Sequence, residues 1–213
     1  MTDRSRSILD YRQLASTYDA SCKRIGHIRE AAIDALVLQP GQTVVDIACG
    51  TGATLLELSE RVGPEGKVIG IDHSPEMVEV ARQRVSLSTA KNIELLVEPI
   101  ESACFNGKAD ALFFCFSHDV LQSKEALRNI FSSTSCGARV VTVGTKLLTS
   151  WWAGPLNSWI HWRGRRYRTT EQGLAQPWKP LQEYCPDIRI TNTFNLGTSY
   201  LAEGTFTTYI TDH

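Results

Sequence analysis

One stretch decides the fold of this 213-residue chain: Thr43-Val44-Val45-Asp46-Ile47-Ala48-Cys49-Gly50-Thr51-Gly52. It begins as an apolar, β-branched run, which is typical of a buried strand, and it ends as a glycine-rich turn. Helix-forming residues follow directly, from Leu55 to Arg61. A strand, a glycine-rich turn and a helix in this order are typical of the first crossover of a nucleotide-binding fold, where the helix N-terminus offers free N–H groups to a ligand. The stretch therefore predicts a ligand site at the carboxyl end of the first strand.

Strands and helices alternate after this stretch. Four further buried strands are predicted over residues 67–72, 93–97, 109–116 and 138–144. Helices are predicted between them, over residues 55–61, 74–85 and 123–133. This alternation predicts an α/β fold, in which a doubly wound parallel sheet has right-handed crossovers and helices on both faces.

Both ends of the chain depart from the alternation. Two helices are predicted between Leu9 and Leu38, and a last helix over residues 170–184, interrupted around Pro177 and Pro180. Residues 188–194 and 199–209 have strand character with no helix between them. Such a pair predicts an antiparallel hairpin at the end of the sheet.

Composition and charge exclude several classes of protein. The net charge is −1, so charge gives no argument for binding to nucleic acid or to an anionic membrane. No apolar run approaches the roughly 18 residues that a membrane-spanning helix needs, and the N-terminus lacks the apolar region of a secretory signal. Six cysteines are scattered without a C-x-x-C pair, which favours buried thiols in a reducing cytosol over a metal site. We therefore expect a cytoplasmic protein, a monomer or a homodimer, without a resident metal.

Two acids at strand ends carry the strongest functional signal. Asp46 precedes the glycine turn, and Asp72 ends the second strand, 20 residues after Gly52. An acid at the second position is placed to accept hydrogen bonds from both ribose hydroxyls of an adenosine, which also fits a nicotinamide dinucleotide. However, Ala48 stands where the dinucleotide fingerprint needs its first glycine, and the carboxylate of Asp46 would repel a pyrophosphate. The loop therefore suits a cationic ligand without phosphate.

Two motifs resemble those of the class I S-adenosylmethionine-dependent methyltransferases. They are Asp46-Ile47-Ala48-Cys49-Gly50-Thr51-Gly52 and Gly70-Ile71-Asp72-His73-Ser74-Pro75-Glu76-Met77. The first follows the family pattern acid-x-Gly-x-Gly-x-Gly, with alanine, a common variant, at the first glycine. The resemblance covers about residues 10–147 and is strongest to the small-molecule enzymes of ubiquinone and menaquinone biosynthesis. It implies a Rossmann-like, seven-stranded sheet with a reversed last hairpin, and S-adenosylmethionine as cofactor with S-adenosylhomocysteine as product.

The resemblance also implies roles for residues near the first two strands. Asp46 would lie near the methionine ammonium, and Asp72 would bind the ribose hydroxyls. His73 and Met77 would flank the adenine. The backbone of the first loop would pass under the cofactor at Ala48, Cys49, Gly50, Thr51 and Gly52.

Further contacts are implied at the ends of later strands. Glu98, Pro99 and Ile100 follow the third strand, where relatives approach the adenine amine, although the usual form there is Asp followed by Ala or Val. Phe116 and Ser117 end the fourth strand and would lie beside the methyl group. These residues complete the cofactor site that the resemblance implies.

His118 is the first candidate for a general base, because it follows an apolar strand at the crevice and its ordinary pKa suits proton transfer near neutrality. The alternatives are that His118 hydrogen-bonds the loop, or that Asp119 only caps the next helix. His161 and His73 are weaker candidates. The reaction would be an in-line displacement, which needs a base only when the nucleophile carries a proton of high pKa.

A tryptophan- and arginine-rich segment, residues 148–170, follows the fifth strand, where relatives cap the active site. The candidate substrate contacts are Trp151, Trp152, Trp159 and His161 of this segment, together with Tyr11 and His118. Three interpretations stay open for the aromatic face: a pocket for a flat or apolar substrate, ordinary core, or a membrane or dimer interface. Aromatic residues beside arginines can also bind single-stranded nucleic acid, but the chain has neither an N/D-P-P-Y/F motif nor an appended RNA-binding module, so nucleic acid is not expected.

The expected protein is therefore a single methyltransferase domain over residues 1–213, with an N-terminal helical cap (1–38) and a cap insertion (148–170). Tyr18 and Tyr11 in the N-terminal cap match tyrosines that close over the cofactor in relatives, with helix packing as the alternative. The expected reaction is O- or N-methylation of a small aromatic or heteroaromatic metabolite, as in secondary metabolism. The alternatives are C-methylation of a quinone-like ring, a catalytically silent cofactor-binding protein, and a nicotinamide-dependent oxidoreductase.

Overall fold

The computed structural model describes residues 25–150, 153–164 and 170–207. The helices are α1 (Gly26–Ala35), α2 (Leu55–Val62), α3 (Pro75–Ser86), α4 (His118–Gln122), α5 (Lys124–Ser132) and α6 (Gly154–Gly164). The strands are β1 (Thr43–Ile47), β2 (Lys67–Asp72), β3 (Ile93–Val97), β4 (Ala109–Cys115), β5 (Thr134–Thr145), β6 (Arg189–Phe194) and β7 (Ser199–Thr205).

The strands form one seven-stranded sheet in the order β3-β2-β1-β4-β5-β7-β6. The first five strands of this order are parallel, and β7 runs antiparallel to both β5 and β6. The predicted parallel sheet with a reversed terminal hairpin is confirmed. The winding direction changes between β1 and β4, and the crevice at such a point, outside the carboxyl ends of the strands, is where open α/β sheets bind ligands.

Apolar residues cover both faces of the sheet. Val45 and Ile47 of β1 contribute to one core cluster, together with Phe131 of α5, whereas Val44 contributes to the other, together with Leu58 of α2. Neighbouring residues of a strand point to opposite faces, so a strand buried on both sides must be apolar throughout. This pattern produces the doubly wound arrangement.

Local geometry explains why one predicted strand end and one predicted helix differ from the structure. The fourth strand ends at Cys115 rather than Phe116, because Phe116 has a φ of 56° and lies in the left-handed region. The helix predicted over 170–184 is wrong: residues 172–178 form turns, followed by a short 3-10 helix at Lys179–Glu183. Gly173, with a φ of 73°, and Pro177 and Pro180, which lack an N–H group, prevent a regular α-helix there.

Other expectations have mixed outcomes. Ser74 caps α3 as predicted, because its hydroxyl accepts a hydrogen bond from the Met77 N–H at 3.3 Å.

Cys104 and Cys136 are exposed, so the expected burial does not hold for all the cysteines. The first of the two helices predicted between Leu9 and Leu38 falls outside the described residues. Across the described ranges, no helix has the length and apolar character needed to cross a membrane.

Candidate functional site

Asp46 is a buried carboxylate at the carboxyl end of β1. Thr54 Oγ1 donates a hydrogen bond of 2.5 Å to Oδ2, while Oδ1 is buried and has no hydrogen-bond partner among the described residues. Burial raises the pKa of Asp46 to about 7, and the neighbouring charge of Asp72 adds to the rise, whereas Thr54 and Arg29 oppose it. A buried carboxylate with one vacant acceptor is suited to a cationic ligand group.

Arg29 of α1 is a second buried charge beside Asp46. Both residues line one small pocket, whose remaining walls are Ala48, Cys49, Ala53, Thr54 and Cys115. Sequence reasoning missed Arg29. The helical spacing could have identified it, because Arg29 lies three and four residues before Ala32 and Ile33, on the apolar face of the helix. An arginine on such a face is rarely buried without a charged partner, so its position indicates a nearby acid.

The loop after β1 brings the backbone close to this pocket. Ala48, Gly50 and Gly52 all have positive φ values, of 58°, 54° and 71°. A side chain on Gly50 would meet no atom within 4 Å, so the space beside it is open to a ligand. A Cβ on Gly52 would lie 2.7 Å from Leu55 and 2.9 Å from the Ala81 side chain, so this glycine allows α2 and α3 to approach closely.

Asp72 ends β2 next to the same loop. The Gly50 N–H donates to Oδ2 and the Ser74 N–H donates to Oδ1, each at 2.9 Å. The carboxylate is almost fully buried, and each oxygen retains a lone pair for a further donor. Two fixed acceptors side by side fit the two hydroxyls of a ribose.

The residues implied around the adenine lie beyond Asp72. His73 is mostly exposed and Met77 is half-buried. Glu98 is anchored by its own N–H, which donates to the Asp72 carbonyl at 3.1 Å, and its Oε2 accepts from the Cys104 N–H at 3.2 Å. The other two members of the triplet differ: Pro99 is exposed, and Ile100 packs into the core. Their contacts with an adenine stay predictions.

At the end of β4, Phe116 turns the chain through its left-handed conformation, and its N–H donates to the Val143 carbonyl at 2.8 Å. Ser117 Oγ is buried and has no hydrogen-bond partner among the described residues. His118 Nε2 lies 2.9 Å from the carbonyl oxygen of Gln172, so the loop hydrogen bond that was the alternative for His118 is present. The proposed capping role of Asp119 is wrong, because Ser123 caps α5, whereas Asp119 Oδ1 accepts from the Thr170 N–H at 3.2 Å.

Within the tryptophan- and arginine-rich segment, Gly154–Gly164 form α6. Trp159 and Trp162 are 48% and 73% exposed, so these two rings do not belong to the core. His161 Nδ1 lies 3.0 Å from Glu171 Oε1. Trp178 differs, because its ring packs against Tyr200 with a centroid separation of 4.9 Å. Four candidate residues lie outside the described residues: Tyr11, Tyr18, Trp151 and Trp152.

These features fit S-adenosylmethionine better than a dinucleotide. The vacant oxygen of Asp46 suits an ammonium, Arg29 suits a carboxylate, and Asp72 suits a ribose. The open space at Gly50 leaves room for the ligand that would join these groups.

The methyltransferase domain family matches the chain over residues 38–150, which is more than half of it. Demethylmenaquinone methyltransferase of Lactococcus lactis subsp. lactis (strain IL1403) is 33% identical over 154 residues, which are 67% of this chain and 53% of that protein. A ubiquinone/menaquinone biosynthesis C-methyltransferase of Geotalea daltonii is 31% identical over 116 residues, which are 53% of this chain and 49% of that protein. The chain thus spans about half the length of these curated relatives.

A solved structure agrees with the fold. A SAM-dependent methyltransferase from Aquifex aeolicus superposes with a TM-score of 0.60 at 20% identity, covering 84% of this chain and 89% of that one. The sheet order, the two acids at the ends of β1 and β2, and the family match all lead to the same assignment. The chain belongs to the class I family of S-adenosylmethionine-dependent methyltransferases.

Proposed function

We propose that this protein transfers a methyl group from S-adenosylmethionine to a ring carbon of a small quinol. The observation that carries methyl transfer is the buried carboxylate of Asp46, whose Oδ1 is vacant in the described structure and whose pocket also contains Arg29. A buried carboxylate with an unfilled acceptor position is costly, which favours a cationic group of a ligand as its further partner.

The charges of the pocket complement those of an amino acid. In this proposal Asp46 receives the ammonium of the methionine moiety, and Arg29 receives its carboxylate. Asp72 receives the ribose hydroxyls, since its two oxygens are already oriented by Gly50 and Ser74. The cofactor supplies a methyl group on a sulfonium, and surroundings with little water favour a transfer in which that positive charge disappears.

The curated relatives support the choice of acceptor. Two of them are named as methyltransferases of demethylmenaquinone or of ubiquinone and menaquinone biosynthesis, and the second name specifies C-methylation. The exposed rings of Trp159 and Trp162 offer flat apolar surface for a quinol. O- or N-methylation of another aromatic metabolite, which the sequence favoured, is the competing outcome.

Labelled-methyl transfer tests the proposal. The purified protein is incubated with methyl-labelled S-adenosylmethionine and, in separate reactions, with a short-chain prenyl 1,4-naphthoquinol, a catechol or a heteroaromatic amine. We expect label on the quinol ring carbon, identified by mass spectrometry and NMR, and no transfer by the Asp46→Asn variant. Label on an oxygen or nitrogen would contradict the proposed ring carbon as the methyl acceptor and would support O- or N-methylation instead. Binding of S-adenosylhomocysteine without transfer to any acceptor of the panel would count against the proposed activity, and binding of NAD instead would overturn the donor.

A further inference from the structure

All three polar side chains of the short helix α4 contact a single segment, residues 170–177, which we name the clasp segment. His118 Nε2 donates to the Gln172 carbonyl at 2.9 Å, and Asp119 Oδ1 accepts from the Thr170 N–H at 3.2 Å. One turn later, Gln122 Nε2 donates to the Pro177 carbonyl at 3.2 Å. Three polar residues of a five-residue helix therefore hold one stretch of turns.

The clasp segment is also tied to the cap helix α6. Glu171 lies between Thr170 and Gln172, and its Oε1 is 3.0 Å from His161 Nδ1 of α6. Thus Thr170, Glu171 and Gln172, three consecutive residues, contact α4, α6 and α4 again. The clasp segment is the bridge that these contacts form between the end of β4 and the cap helix.

The same segment is closely fitted to its neighbours. A Cβ on Gly173 would lie 2.3 Å from Gln122 Oε1, and the Leu147 N–H, just after β5, donates to the Leu174 carbonyl at 2.9 Å. The start of α6 is fixed separately, because the Asn157 side chain exchanges two hydrogen bonds with the backbone of Leu148, at 3.0 and 2.9 Å. In its first half α6 therefore meets the loop after β5, and at His161, in its second half, it meets the clasp segment.

We infer that His118 is a positioning residue, which acts through the clasp segment to hold α6 beside the carboxyl ends of β4 and β5. A carbonyl oxygen can only accept, so the hydrogen bond to Gln172 places a proton on Nε2. Acting as a general base would require Nδ1, which is buried. The inference rests on the proposed function only in its kinetic test, which takes α6 to lie beside the methyl acceptor.

Hydrogen–deuterium exchange of the full chain tests the inference without any acceptor. In His118→Ala, amides of residues 154–164 and 170–177 should exchange about tenfold faster, the factor expected for one lost hydrogen bond. His118→Gln keeps a donor for the Gln172 carbonyl but cannot act as a base, and it should return exchange to within about threefold of wild type. His27→Ala, an exposed histidine of α1, is the matched control and should leave both segments unchanged.

A second pair of variants covers the case in which His118→Ala does not fold. Glu171 is exposed, so Glu171→Ala should fold, and it should speed exchange in 154–164 while leaving 118–122 protected. Glu171→Gln can still accept from His161 and should remain near wild type. Unchanged exchange of 154–164 in Glu171→Ala, or in a folded His118→Ala, would overturn the inference.

Kinetics with the prenyl naphthoquinol separate positioning from base catalysis. A positioning role predicts that His118→Ala mainly raises KM for the acceptor and that His118→Gln restores it. Loss of a general base would instead lower kcat in both variants, by about 100-fold or more. That second pattern would also overturn the inference, whereas a lack of transfer by wild-type protein would concern the proposed function alone.

Discussion

The proposed donor side, around Asp46 and Asp72, and the proposed acceptor side, around α4, α6 and the clasp segment, are built in different ways. On the donor side, the hydrogen bonds that fix Asp46 and Asp72 join residues 8, 22 and 2 positions apart in the chain. On the acceptor side, the hydrogen bonds between α4 and the clasp segment join residues 51 to 55 positions apart. A short motif can therefore encode the first side, whereas the second exists only after the chain has folded. This difference predicts that a single substitution on the donor side changes cofactor affinity directly, whereas one on the acceptor side changes amide exchange across several segments.

The largest expected effect is on cofactor affinity in Asp46→Asn. An asparagine keeps the shape and still accepts from Thr54, but it cannot balance an ammonium. We expect the affinity for S-adenosylhomocysteine, measured by calorimetry at pH 8, to fall about 30-fold or more, because breaking a buried charge pair costs about 2–5 kcal/mol.

Asp34→Asn is the matched control for that variant. Asp34 is exposed and pairs with Arg61 on the surface, so its loss should change the affinity less than about twofold. If both variants lost affinity equally, the effect would come from the change in net charge. The local donor site would then not differ from the rest of the molecule.

A second prediction concerns pH. Burial raises the pKa of Asp46 to about 7 in the unliganded protein, and an ammonium ligand needs the ionised carboxylate. Affinity for S-adenosylhomocysteine should therefore rise about tenfold per pH unit from pH 5 towards pH 7 and level off above pH 7 to 8. Calorimetry at pH 6 in buffers of different ionisation enthalpy should show release of a proton on binding.

Raising the pH has opposite effects on folding and on binding: it lowers the contribution of Asp46 to the free energy of unfolding, whereas it raises the affinity for the ligand. The folded, unliganded protein holds the Asp46 proton more tightly than the unfolded chain does, so this group lowers the free energy of unfolding as the pH rises from about 4 to about 7. Asp46→Asn should remove this contribution and flatten the pH dependence of binding. A pH dependence that persists unchanged in the variant would assign it to another group.

The parts of the fold that depend on local pattern were predictable. The bounds of β1, β2 and β3 follow from short apolar runs, and the hairpin follows from two strands without a helix between them. The predicted helix over 170–184 failed for a physical reason. Gly173, Pro177 and Pro180 oppose a regular helix locally. Contacts with α4 and with the loop after β5, which no local pattern reveals, then hold the segment as turns.

The site divides in the same way. Asp46 and Asp72 could be identified because their positions relative to a strand end and a glycine turn define their chemistry. Arg29 lies 17 residues before Asp46, in a separate helix, and only the fold brings the two charges into one pocket. His118 was identified as a residue of interest, but its partner Gln172 lies 54 positions away, so its chemistry could not be deduced from its neighbours.

The smallest expected effect tests how far the donor loop is determined by its backbone alone. Ala48 has a φ of 58°, a conformation that costs an alanine about 1–2 kcal/mol and a glycine almost nothing. Ala48→Gly should relieve this strain. Part of the gain is lost, because the greater entropy of glycine in the unfolded chain lowers the free energy of unfolding by about 0.4–1 kcal/mol. We expect a net increase of up to about 1.5 kcal/mol in the free energy of unfolding, measured by urea denaturation. Ala53→Gly, at a neighbouring alanine whose φ is not positive, should instead lower it by about 0.5–1 kcal/mol. If both substitutions destabilise equally, the side chain of Ala48 contributes packing that outweighs its backbone strain, and the donor loop depends on its surroundings as the clasp segment does.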